Sequence, residues 1–241
     1  MIISDTHKYV FVEYPRTGTT AVSNELCQNY SGRRVLRKHS TYQEFLKIAS
    51  PEEKKYFVFT SVRNPLDDAV SHYFKLRTDH RERYTNRKKV RNSKRLAEFL
   101  DTFIYRFIHS NDVDFPTYFR RFYVIPYNTW STISIKRYNY IMRFENLPDD
   151  FANVLQLLGI DPIRALPHRN VTGERKKEFW MYYTPEIIPR ARRIFGPFMK
   201  QWGYDFPKEW GEQPISFWNQ AEYQFFTLFR RVYWSVLREH F

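Results

Sequence analysis

The 241-residue chain has a single cysteine, Cys27, so neither an internal disulfide nor a cysteine-rich zinc site is expected. No apolar run approaches twenty residues and the mean hydropathy is −0.64, which argues against a membrane-spanning helix. The opening stretch, MIISDTHKYVFVEYPRTG, lacks the basic start and long apolar run of a secretory signal. Internal repeats and low-complexity linkers are missing as well. Acidic residues are scarce: 26 Asp+Glu stand against 39 Lys+Arg, a formal +13 with a pI near 9.7. That balance favours an anionic ligand, whether nucleotide, sulfated or carboxylated sugar, nucleic acid or lipid headgroup. Hydrophobic residues make up 42%, enough for a core, so disordered and fibrous classes are excluded. The expectation is a soluble, basic, cytoplasmic protein with one large domain carrying an insertion and a tail.

What is present reads as alternating strands and helices. Lys8–Glu13 (KYVFVE) is a short β-rich apolar run ended by Pro15, and Tyr56–Val62 (YFVFTSV) is a second. Gly18-Thr19-Thr20 opens a helix running to about Asn29. Asn64-Pro65 starts another, with Asp67 and Asp68 suited to its positive end. Between them Thr41–Glu44 (TYQE) has the spacing of a capping box, which predicts a short helix from Thr41. Further on, Tyr138–Phe144 is strand-like, Asp150–Leu158 helix-like, and a long helix follows Pro185 and stops before Gly203. This rhythm predicts an α/β fold: a parallel sheet flanked by helices, with a P-loop-like phosphate-binding strand–loop–helix. The core domain is expected over residues 1–210. Within it, a basic insertion at 77–95 holds nine Lys/Arg against Asp79 and Glu82. Residues 211–241 form a tail in which Trp218, Ala221, Phe225, Leu228, Val232 and Val236 recur at helical spacing, an amphipathic pattern.

The strongest chemical signal is Tyr14-Pro15-Arg16-Thr17-Gly18-Thr19-Thr20, directly after the first strand. A glycine and hydroxyls between strand and helix set backbone amides and the helix dipole around one anion, and Arg16 adds a charged fork. The kinase pattern GxxxxGK[ST] is absent, and the second strand ends in Arg63 where a magnesium-holding acid would stand. Arg63 and Ser71 suggest a second anion site; alternatively Arg63 is a salt-bridge partner and Ser71 a buried helix hydroxyl. The histidines His7, His80, His109, His168 and His240 show no metal-ligand spacing, so no metal is expected.

Taken together, YPRTGTT after one strand and TSVRNPLDDAVSHYF on the next resemble the PAPS-dependent sulfotransferases (PAPS is 3′-phosphoadenosine 5′-phosphosulfate). The resemblance continues in IMRFENLPDDFANVLQLLGID, HRNVTGER and YYTPEIIPRARRIFGPFMKQWGYDFP, spanning about Lys8 to Pro207, and is nearest the carbohydrate (uronyl 2-O-type, membrane-associated) branch. It implies PAPS as co-substrate and PAP as product. Pro15, Arg16, Thr17, Gly18, Thr19 and Thr20 would form the 5′-phosphosulfate loop, and Arg63 and Ser71 the 3′-phosphate site. Asn170, Thr172 and Arg175, beside Arg169, would belong to a loop that closes over the nucleotide. Arg16 stands where many members carry lysine; a guanidinium binds phosphate but does not readily give up a proton.

Sulfuryl transfer needs a base for the acceptor hydroxyl. His39, in Lys38-His39-Ser40-Thr41, resembles the catalytic histidine that the uronyl branch carries between its two phosphate elements. His72 and Glu44 are rivals, although Glu44 is explained as the cap partner of Thr41. The acceptor expected is a hydroxyl on a glycan, and an acidic glycan would suit the basic insertion. A tyrosine peptide is the alternative acceptor, and a basic nucleic-acid-binding module the alternative class, although Tyr84 is the lone aromatic within the basic run and no recognised nucleic-acid motif is present. The tail is left to pack on the core, on a second subunit or on a membrane surface.

Overall fold

The structure, a computed structural model, describes residues 1–80, 82–85, 96–129, 138–167 and 177–237. In chain order its regular elements begin with β1 (Ile2–Ser4), β2 (Tyr9–Val12), α1 (Thr19–Asn29), β3 (Arg33–Arg34) and α2 (Tyr42–Ile48). There follow β4 (Phe57–Val62), α3 (Pro65–Arg77), α4 (Leu96–Ser110) and α5 (Phe115–Phe122). The last are β5 (Tyr140–Arg143), α6 (Leu147–Leu157), α7 (Ile188–Trp202) and α8 (Phe217–Leu237). Among the described residues no helix is long and apolar enough to cross a membrane. The chain divides into two compact units.

The first unit comprises Met1–Asn64, Asn128–Asn170 and Gln224–Phe241 and holds a five-stranded sheet of order β3-β1-β2-β4-β5. The α/β expectation holds, with one correction. Only β2–β4 and β4–β5 are parallel; β1 pairs antiparallel with both β2 and β3, so the sheet is mixed. For β1 and β2 the reason is local: β1 is three residues long and returns into β2 through a tight turn, a connection that only antiparallel neighbours can use. In register, Phe11 lies opposite Phe59 and Thr60 opposite Ile141. The central strand β2 is apolar on both faces, as a strand covered on both sides requires: Tyr9, Val10, Phe11 and Val12 are all buried. One face packs with Val22 and Leu26 of α1 and with Phe151, Val154 and Leu155 of α6. The Phe11 and Phe59 rings sit 5.0 Å apart there, and each buried ring of this size contributes about 1.5–3 kcal/mol.

The second unit comprises Pro65–Tyr127 and Val171–Tyr223. Its core is helical: Leu66, Ala69, Val70, Tyr73 and Leu76 of α3 pack with Phe115, Tyr118 and Phe119 of α5 and with Ala191, Ile194, Phe195 and Met199 of α7. The Phe119 ring meets Tyr183 edge-on at 5.4 Å and Phe195 at 5.7 Å. The described part of the basic insertion is anchored within this unit. Arg77 donates to Asp112 at 2.8 Å and to the Val113 carbonyl at 3.1 Å, and Tyr84 stacks on Tyr105 at 4.9 Å. Residues 81 and 86–95 lie outside the described residues.

Candidate functional site

The site residues of the first unit gather at the carboxyl ends of β2 and β4, where open parallel sheets hold their ligands. After β2 the chain must turn sharply into α1, and Arg16 and Gly18 both take left-handed backbone, φ 66° and 76°. Gly18 has a second constraint: a Cβ there would meet Leu147 Cδ2 at 2.5 Å. Pro15 precedes the turn and is half-buried. The Thr17 and Thr19 hydroxyls turn inward, donating to the Tyr14 carbonyl at 3.1 and 3.2 Å, and Thr17 Oγ1 also lies 2.8 Å from Ser61 Oγ on β4. Their hydroxyls therefore brace the loop, and what these residues offer an anion is their amides. Gly18 caps α1 without a side-chain bond, and the first turn holds no acidic residue. The first amides of a helix have no intrahelical acceptor, so this end is electropositive.

Two basic groups reach the loop from neighbouring segments. Arg63, just past β4, donates to the Arg16 carbonyl at 3.3 Å while its guanidinium lies 4.2 Å over the Phe144 ring. Lys38 donates to Thr20 Oγ1 at 2.8 Å. The link of Lys38 to Thr20 joins residues 18 apart and has no local signature in the sequence.

His39 also has left-handed backbone, φ 65°. Its Nδ1 lies 3.0 Å from the Glu13 carbonyl oxygen at the end of β2. A carbonyl only accepts, so Nδ1 carries the hydrogen and, in the neutral ring, Nε2 carries the lone pair. Burial lowers the His39 pKa from its ordinary value, and the nearby Lys38 charge adds to this against the raising effect of the Glu13 carbonyl bond. The ring is thus held neutral, in the tautomer of a base. The Thr41–Glu44 capping box is formed, with the Glu44 amide donating to Thr41 Oγ1 at 3.1 Å and the Glu44 carboxylate accepting from the Thr41 amide, so Glu44 has a structural role. The Glu13 side chain points elsewhere: it is buried and accepts from the Met1 ammonium at 2.6 Å and Ser23 at 2.7 Å. Burial works to raise its pKa, but those bonds and the Arg34 charge outweigh it and hold the carboxyl below its ordinary range.

Ser71 and His72 belong to the second unit, on α3. Ser71 is buried, and His72 pairs its Nδ1 with the Tyr118 hydroxyl at 3.1 Å and its Nε2 with Asp101 at 3.6 Å. Asn170, Thr172 and Arg175 lie outside the described residues. Among the described residues no cluster of His, Cys, Asp or Glu is arranged to hold a metal ion.

This donor set suits an anionic group. Residues 14–20 carry no carboxylate, and the groups around the turn are amides, a guanidinium and an ammonium. The sulfotransferase family model matches residues 1–195. No curated protein and no solved structure matches the chain.

Proposed function

Because the chain belongs to the sulfotransferase family, we propose that it moves a sulfuryl group from PAPS to a hydroxyl of a carbohydrate, with His39 as the base. The observation that supports this most is the convergence on one turn of anion-binding groups and a neutral imidazole. Arg63 bonds the Arg16 carbonyl, and His39 bonds the Glu13 carbonyl at the end of the strand leading into the turn. PAPS supplies the sulfuryl group and a phosphate leaving group. The loop amides, Arg16 and the α1 dipole offset the negative charge that develops on that phosphate, a role in which each well-placed donor is worth ~3–4 kcal/mol. His39 Nε2 takes the acceptor proton, worth ~10²–10⁴-fold in rate. Arg63 and Ser71 are assigned to the 3′-phosphate on the pattern of the family, and Asn170, Thr172 and Arg175 to the loop over the nucleotide.

A basic insertion and a formal charge of +13 favour an acceptor that is itself anionic, a sulfated or uronic-acid glycan. The test is PAPS-dependent transfer screened over acidic glycans, neutral glycans and tyrosine peptides, read by mass spectrometry as a gain of one sulfuryl group. Product on acidic glycans alone is expected. Product on tyrosine peptides alone would replace the carbohydrate reading.

A further inference from the structure

Lys38 has a contact that the family pattern does not assign. Its ammonium donates to Thr20 Oγ1 at 2.8 Å, and Thr20 is the second residue of α1. A full positive charge is therefore held against the positive end of a helix, which is unfavourable in the free protein. No acidic residue in the first turn of α1 relieves it, and no side chain caps Gly18. An anion seated on the loop would turn that unfavourable placement into a charge-assisted contact. Meanwhile the cation of the loop itself is Arg16, a guanidinium that binds an oxyanion but keeps its proton, whereas an ammonium can do both.

We propose that Lys38 is a catalytic residue, holding the phosphate from which the sulfuryl group departs and protonating the oxygen left behind. The inference rests on the sulfuryl-transfer reading above. In the step, the bond from acceptor oxygen to sulfur forms as the bond from sulfur to the bridging oxygen breaks. The electron pair of the broken bond stays on the phosphate, which receives the Lys38 proton, and the acceptor proton passes to His39 Nε2. Two adjacent residues thus divide the proton traffic: Lys38 reaches α1 through Thr20, and His39 reaches the end of β2 through Glu13.

Calorimetric titration with PAP and with adenosine 3′-phosphate, which lacks the 5′-phosphate, reads the contact. PAP formation from PAPS reads the proton transfer. Lys38→Ala should weaken PAP by ~10-fold or more while leaving adenosine 3′-phosphate unchanged. Lys38→Arg should keep PAP affinity near wild type, showing an intact fold, yet lose turnover by ~10²-fold like the alanine variant. Wild-type turnover in Lys38→Arg would overturn the proton-donor role, and equal weakening of both nucleotides by Lys38→Ala would overturn the contact. If the wild-type chain binds neither nucleotide, the sulfotransferase reading fails first, and that outcome is distinct from the other two.

Discussion

At the scale of single residues, His39 unites backbone strain, a fixed tautomer and a lowered pKa. A non-glycine residue in left-handed backbone is uncommon, and Arg16 and His39 both adopt it beside the same turn. His39→Ala should reduce turnover by ~10²-fold or more with PAP affinity near wild type, as expected of a base that acts only on the acceptor. Its pKa lies below the ordinary value of 6.5, so wild-type activity should persist as pH falls through 6.5 and be lost only below it. The stability linkage has a definite sign. Folding disfavours the charged ring, so His39 contributes a loss of stability as pH falls below 6.5, and none above it. A pH–rate profile with its acid limb above 6.5 would contradict the proposal that this part-buried histidine is the base. Arg63 is the other informative side chain. Arg63→Ala should weaken PAP by ~10- to 100-fold and adenosine 5′-phosphosulfate far less, since a charged contact is worth ~1.5–3 kcal/mol. Because Arg63 also bonds the Arg16 carbonyl, equal losses for both nucleotides in binding titrations would instead assign it to bracing the loop.

At the scale of elements, α2 is seven residues long and depends on its start. A helix this short has little stability of its own, so the capping box at Thr41 and Glu44 carries much of it. Thr41→Ala should cost about 0.5–2 kcal/mol and lower Tm by a few degrees in a thermal melt. His39 sits two residues ahead of that cap, so turnover should fall more than stability alone explains. Unchanged turnover at a lowered Tm would show that the histidine is held by its Glu13 bond without help from the cap. Helix α8 makes a contrasting case. Its apolar stripe of Trp218, Phe225, Leu228 and Val232 is exposed, with Trp218 at 78%, whereas Tyr223 and Thr227 are buried. The inward positions make directed bonds: Tyr223 donates to Gln201 at 2.6 Å, and Thr227 accepts from Asn128 at 3.1 Å.

At the scale of the whole molecule, a formal +13 is a stored repulsion that a polyanionic ligand relieves. PAP binding only the folded chain should therefore stabilise it: at ~100 times Kd the gain is about 2.7 kcal/mol, a Tm rise of roughly 5–10 °C. That rise should survive chelation of divalent cations, because the groups proposed to hold the anion are amides and cationic side chains. Thermal melts with PAP, with ATP and magnesium, and with neither would decide it. A shift with ATP and magnesium but none with PAP would contradict the assignment.

The parts of this protein that the sequence by itself determined are those set by near neighbours. The apolar runs that became β2 and β4, the start of α1 at the glycine, the Thr41 cap and the Asn64-Pro65 start of α3 all rest on interactions within a few residues. Helices α4 and α5 and strand β1 went unread, β1 because three residues show no period. Tertiary structure alone decided the antiparallel pairing of β1 with β3 and the inward turn of the Thr17 hydroxyl onto Ser61, 44 residues away. It also decided the tautomer of His39 through a carbonyl 26 residues away, and the arrival of Lys38 at Thr20. Residue type and spacing set which groups are able to donate or accept a proton. Which partner each one meets depends on chain segments brought together by the burial of the sheet, and no local pattern encodes that meeting.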